Sequence, residues 1–193
     1  MGLTIHYSGI FRDDASLIEM IDEVKDITQI YDWKYTVFNE QFPVNPDSKE
    51  HLKNELYGVL FSPPSSEQVH LTFLSDKRMC SIIGLMAWGS STEEKADEYL
   101  YMLSTKTQFA GIETHKLIIH ILKHISNKYL TSFTVLDEGK YWESGDEKLL
   151  REIFSKYEAA FDIFENALQN NPIRENETFE EYFNRLIRRI GRK

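Results

Sequence analysis

Cysteine is almost absent: Cys80 is the single one in 193 residues. No intrachain disulfide can form, which excludes the stapled framework of small secreted domains. Long apolar runs are absent as well. The longest, Ile82 to Trp88, already contains Gly84, whereas a bilayer-spanning helix needs about 20 apolar residues. The N-terminus shows neither the basic start nor the apolar stretch of a signal peptide. His6 stands where a myristoylation signal requires Ser or Thr. These absences predict a cytoplasmic location and no membrane partner. Positive charge is also scarce, with 22 Lys and Arg against 31 Asp and Glu and a net charge of −9. Such a surface repels polyanions at long range, so no nucleic-acid partner is expected.

Signature motifs are missing too. The sequence contains no Gly-x-Gly-x-x-Gly, P-loop, Cys-x-x-Cys, His-Glu-x-x-His or EF-hand pattern, no Gly-x-Ser-x-Gly elbow and no kinase signature. No cofactor is predicted. The enzyme classes that announce themselves are excluded; others are not.

What is present is a globular composition, 41% hydrophobic and 13% aromatic, sufficient for a sizeable core without staples. Leu3, Ile5 and Tyr7 alternate with Thr4, His6 and Ser8, the period of a half-buried strand. Asp13 and Asp14 offer capping oxygens to an amphipathic helix over residues 14–31. Further strands are predicted at 33–42, 57–62, 69–73, 79–88, 99–109 and 132–136, with a hairpin turn at Ser75 to Arg78 and a helical turn around Asp47 to Leu56. Val69, Leu71 and Phe73 alternate with His70 and Thr72. Helices are predicted at 112–130, from a Ser144–Glu147 capping box onward, and from a Thr178–Glu181 box onward. The order β-α-β-β-β-β-β-α-β-α-α predicts an α+β fold, a mainly antiparallel sheet of six to seven strands with helices on one face. Residues 1–171 form the predicted domain; 172–193, beyond a polar segment holding Pro172, form a C-terminal amphipathic helix.

Three places in this plan carry candidate chemistry. A strand end with Lys106 and Gln108 feeds a helix whose first turn holds His115, an arrangement suited to a small anion because helix N-termini favour negative charge. The loop Asp137, Glu138, Tyr141, Trp142 and Glu143 combines carboxylates with aromatic walls, which suits a ligand; the same acids also suit the start of a helix. The stripe Phe179, Phe183, Leu186 and Ile190 suits a partner, followed as it is by Arg185, Arg188, Arg189, Arg192 and Lys193 without an acid. His120 and His124 share a helical face but lack a third ligand, so no metal site is predicted. Cys80 reads as a small buried hydrophobe.

The leading expectation is a non-enzymatic intracellular binding or regulatory module, engaging another protein or itself through the C-terminal helix. The competing expectation is an enzyme or ligand-binding domain for a small anionic compound at the Lys106–His115 junction.

Overall fold

The computed structural model describes residues 3–43 and 55–190, the side chain of Ile190 excepted. The helical turn expected around Asp47 falls outside the described residues.

The fold is α+β, but its strands form two antiparallel sheets of three rather than one large sheet. Strand β1 (Thr4–Phe11) is the centre of the first. Its alternation holds: Ile5, Tyr7 and Phe11 are buried and Thr4, His6 and Ser8 half-buried. It pairs with β5 (Leu103–Lys106) on one edge and β6 (Leu130–Asp137) on the other, so that Ile5 stands opposite both Thr105 and Asp137. The second sheet is a meander of β2 (Lys34–Val37), β3 (Tyr57–Ser62) and β4 (Val69–Phe73). Every residue of β4 is buried. The alternation read at His70 and Thr72 therefore does not turn those side chains to solvent; both faces of this strand are covered.

The sheets meet along β1. Phe11 N–H donates to Lys77 O (2.8 Å) and Met79 N–H to Gly9 O (2.9 Å), while the Tyr7 hydroxyl sits between His70 N (2.9 Å) and His70 O (3.2 Å). One hydrophobic core, including Ile5, Phe11, Phe61, Phe73 and Ile118, spans both sheets.

Two expected strands are corrected. Met79 makes one bridge to Phe73, but the run after it folds as helix α2 (Ile82–Trp88). Ser81 Oγ caps it by accepting from Gly84 N–H at 2.9 Å. A short, uniformly apolar run has no period to separate strand from helix, and a capping Ser decided it. Gly84 does mark a close backbone approach: a Cβ there would lie 3.1 Å from Leu100 O. The second correction is 99–109, where only β5 is extended and its start belongs to helix α3 (Ala96–Leu100). Cys80 is buried beside Leu74 and Leu100, as a small hydrophobe would be.

The long helices lie where the periodicity put them, with different caps. Helix α1 (Leu17–Ile30) is capped by Ser16; Asp14 and Asp13 pair instead with Arg12 and Lys77. Helix α4 (Gly111–Tyr129) buries His115, Ile118, Leu122, Ile125 and Tyr129. A single turn, α5 (Tyr141–Ser144), leads into α6 (Glu147–Gln169), whose cap is Asp146 rather than Ser144. Helix α7 (Phe179–Ile190) begins at the expected box: Glu181 N–H donates to Thr178 Oγ1 (3.3 Å) and Thr178 N–H to Glu181 Oε2 (3.0 Å).

Candidate functional site

Two of the sequence candidates converge on one buried chain of polar groups. Thr107 follows β5, His115 lies in the first turns of α4 and Asp137 ends β6. Thr107 Oγ1 is 2.7 Å from His115 Nδ1, and His115 Nε2 is 3.2 Å from Asp137 Oδ1 and 3.3 Å from Oδ2. Thr107 Oγ1 is farther, 3.4 Å, from Leu3 O. The shorter contact assigns the hydroxyl proton to Nδ1, which leaves Nε2–H to donate to the carboxylate. Asp137 accepts three more bonds, from Gly139 N–H (2.8 Å, Oδ1), Tyr141 N–H (2.8 Å, Oδ2) and Trp142 N–H (3.0 Å, Oδ2). Burial pushes its carboxyl up. The hydrogen bond and field of His115, with the N–H groups of Trp142 and Gly139, outweigh that and hold it below the ordinary value.

Strand parity separates His115 from the residues expected beside it. Along 103–108 the side chains alternate, with Thr105 and Thr107 buried and Ser104 exposed. Lys106 and Gln108 are half-buried on the other parity; the Lys106 ammonium lies over the Phe109 ring, 5.6 Å from its centre. His115 thus meets Thr107 and not Lys106. Thr107 and His115 are fully buried and Asp137 is 2% exposed. A Thr–His–Asp relay acts on a substrate only if one end can reach it. These groups instead join β5, α4 and the β6–α5 turn.

The remaining loop candidates separate. Glu138 Oε2 accepts from Thr4 N–H at 2.8 Å, at the end of the β1–β6 pairing. Tyr141 is a core residue, Trp142 is half-buried with Phe133 on its edge and Lys123 over its face, and Glu143 is exposed. On the outer face of α4, His124 pairs with Glu23 and His120 lies beside Tyr141.

The C-terminal helices form an arm. Leu150 and Phe154 anchor α6 in the core, but beyond Phe154 no α6 residue is buried. Its apolar stripe continues regardless, leaving Phe161 44% and Leu168 36% exposed, with Phe161 edge-on to Phe109 at 5.8 Å. Helix α7 packs back on α6, with Tyr182 and Leu186 buried. Phe179 and Phe183 do not close the core of the arm: they stack on each other at 6.1 Å, 72% and 40% exposed, with Phe183 against Phe164 at 6.4 Å. The Ile190 side chain lies outside the described residues. The segment expected to let α7 swing is tied to it, since Arg185 binds Glu177 (2.7 Å) and Pro172 O (3.1 Å) and Arg189 binds Asn171 Oδ1 (2.5 Å).

Sequence reasoning passed over His70. Its side chain, 6% exposed, forms part of the wall of a cavity of about 550 Å³ between the β4–β5 side of the sheets and helices α2 and α3. The missed signal was the pair of apolar neighbours on each side of β3 and β4, which mark strands covered on both faces. Searches against known protein families, curated proteins and solved structures found no match to this chain.

Proposed function

We propose that the protein is a non-catalytic binding module that works through the α6–α7 arm, and that the surface this arm takes up is the arm of a second copy. The observation that carries the reading is the aromatic ridge of Phe179 and Phe183, stacked on each other and exposed on α7, with Phe161 exposed on α6 beside Phe109. Covering a Phe side chain contributes about 1.5–3 kcal/mol relative to leaving it in water, so such a ridge favours an occupant. Charge points to a second copy. Helix α6 carries Glu158, Asp162 and Glu165 along its outer part, and α7 carries Arg185, Arg188 and Arg189. Among the described residues, Glu158, Asp162 and Arg188 make no ion pair within the chain. A two-fold arrangement sets the acids of one copy against the cations of the other while closing the ridge on itself, as an isologous interface requires.

Sedimentation velocity decides this. The full chain is expected to sediment as a dimer at about 100 µM, well above a Kd of about 1 µM. Phe161→Glu combined with Phe183→Glu is expected to yield a folded monomer, because both positions are exposed. A wild-type chain that stays monomeric over this range overturns self-association. A dimer that survives the double substitution removes the arm as its interface.

A further inference from the structure

The cavity under His70 is separate from the arm and has the composition of a ligand site. Its wall includes the His70 imidazole, neither of whose nitrogens has a hydrogen-bond partner among the described residues; Nδ1 is sealed from solvent, which leaves Nε2 as the nitrogen open to a ligand. Buried side-chain polar groups are nearly always paired, and no side-chain bond within the chain engages this ring, so its acceptor capacity is unused. Around it stand Ile83, Met102 and Trp88, and Trp88 stacks on Tyr99 with ring centres 4.9 Å apart. Glu67 is the charged residue of the lining, and no Lys or Arg contributes to it among the described residues. The volume, about 550 Å³, is that of a small-molecule site.

We propose that this cavity binds a small organic amine, its apolar body against Ile83, Met102 and the Trp88–Tyr99 pair and its ammonium group offered to His70 and Glu67. Each feature selects for that chemistry. Burial lowers the pKa of His70 to about 4, so at neutral pH the ring is uncharged and holds a lone pair that accepts from an N–H donor. With Nδ1 unpartnered as well, no bond within the protein fixes the tautomer, so Nε2 is free to accept. A carboxylate favours a cation, and the stacked aromatic pair attracts one through its ring faces. An anionic ligand would meet Glu67 with no basic side chain to offset it.

Two isosteric probes test the assignment on the intact protein. Phenethylamine and phenylacetate have similar shapes and opposite charges, and neither obscures tryptophan fluorescence. Phenethylamine is expected to bind saturably, with a Kd of about 1 mM or tighter for so small a probe, and to shift the His70 ring resonances. Phenylacetate is expected to bind at least about tenfold more weakly, a difference of about 1.4 kcal/mol. Glu67→Gln, at an exposed position and still able to accept from Lys106 N–H, is expected to weaken the amine about tenfold. His70→Phe is expected to abolish the binding. Should that variant fail to fold, the probe pair and Glu67→Gln still decide. Equal affinity for the two probes, no saturable amine binding, or unchanged affinity in Glu67→Gln overturns the proposal.

Discussion

His115 Nε2 lies 3.2 Å from Asp137 Oδ1, and both side chains are shut off from solvent. The pair joins the first turns of α4 to the end of β6, and Thr107 extends it to the end of β5. Removing the Asp137 carboxylate orphans the His115 Nε2–H in a site closed to water, and each orphaned buried donor costs about 1–3 kcal/mol. With several donors orphaned, Asp137→Ala is therefore expected to cost about 3–5 kcal/mol, more than its small volume loss would suggest. It also strands the N–H groups of Gly139, Tyr141 and Trp142. Asp137→Asn keeps acceptor capacity and is expected to cost less, about 1–3 kcal/mol. Urea unfolding at neutral pH measures both; an Asp137→Ala protein as stable as wild type would show that the network does not hold these elements together.

Acid is expected to weaken the fold in two stages. His70 titrates at about 4 in the folded protein against an ordinary 6.5. Between those values the unfolded chain binds a proton that the folded chain does not, so stability falls as pH drops from 6.5 towards 4, by up to about 3 kcal/mol. Asp137 is depressed below its ordinary 3.8. Its contribution is whole above that value and is lost as pH falls further, through the folded pKa. Stability measured from pH 7 to pH 2 in wild type, His70→Phe and Asp137→Asn separates the stages: the first variant should lose the upper slope and the second the lower. A slope between pH 6.5 and 4 that persists in His70→Phe would assign it to other groups.

Gly139 is a glycine because His115 needs the space. A Cβ at 139 would lie 2.8 Å from His115 Nε2 and 2.8 Å from Leu150 Cδ1. His115 cannot yield without breaking its bonds to Thr107 and Asp137, so Gly139→Ala is expected to cost about 1–3 kcal/mol by overpacking. Gly145 provides the control. It has φ +62° and nothing within 4 Å of its would-be Cβ, so Asn, which tolerates that backbone region, is expected to be accepted there at little cost. Thermal melts of the two variants compare them directly; equal losses would contradict the packing argument.

The elements with a clear period were legible in the sequence. The alternation of β1 and the helical stripes of α1, α4 and α6 placed those elements to within a few residues. The run 79–88 was not, because its apolar stretch after Ser81 fits a buried strand or a helix equally, and the choice rested on the hydroxyl of Ser81. The division into two sheets was not, because strand pairing depends on contacts far apart in sequence, such as Met79 with Gly9. At the site, His115 and Asp137 were both singled out but as members of different constellations. Parity along 103–108 would have favoured Thr107 over Lys106 as the partner of His115; nothing in the sequence tied Asp137 to it. The apolar stripe of α6 was read over its full length, yet periodicity cannot say where along a helix the body of the protein ends.

That ending predicts that α7 opens ahead of the rest of the fold. Among the described residues, the buried ones of α7 are Tyr182 and Leu186, one turn apart. Leu186 is fully buried, and truncating such a Leu to Ala costs about 2–5 kcal/mol. Among the described residues, Phe179 and Ile187 do little to hold α7, being more than half exposed. Elements with few buried contacts open locally, ahead of global unfolding. Leu186→Ala is therefore expected to release α7 without loosening the sheets, whose core residues lie elsewhere. Hydrogen exchange distinguishes the outcomes. Amides of residues 182–190 should lose their protection in the variant while those of β1 and α4 keep theirs. Equal loss of protection in β1 and α4 would mean that α7 stabilises the whole domain. It would then be part of the body rather than a face held out to a partner.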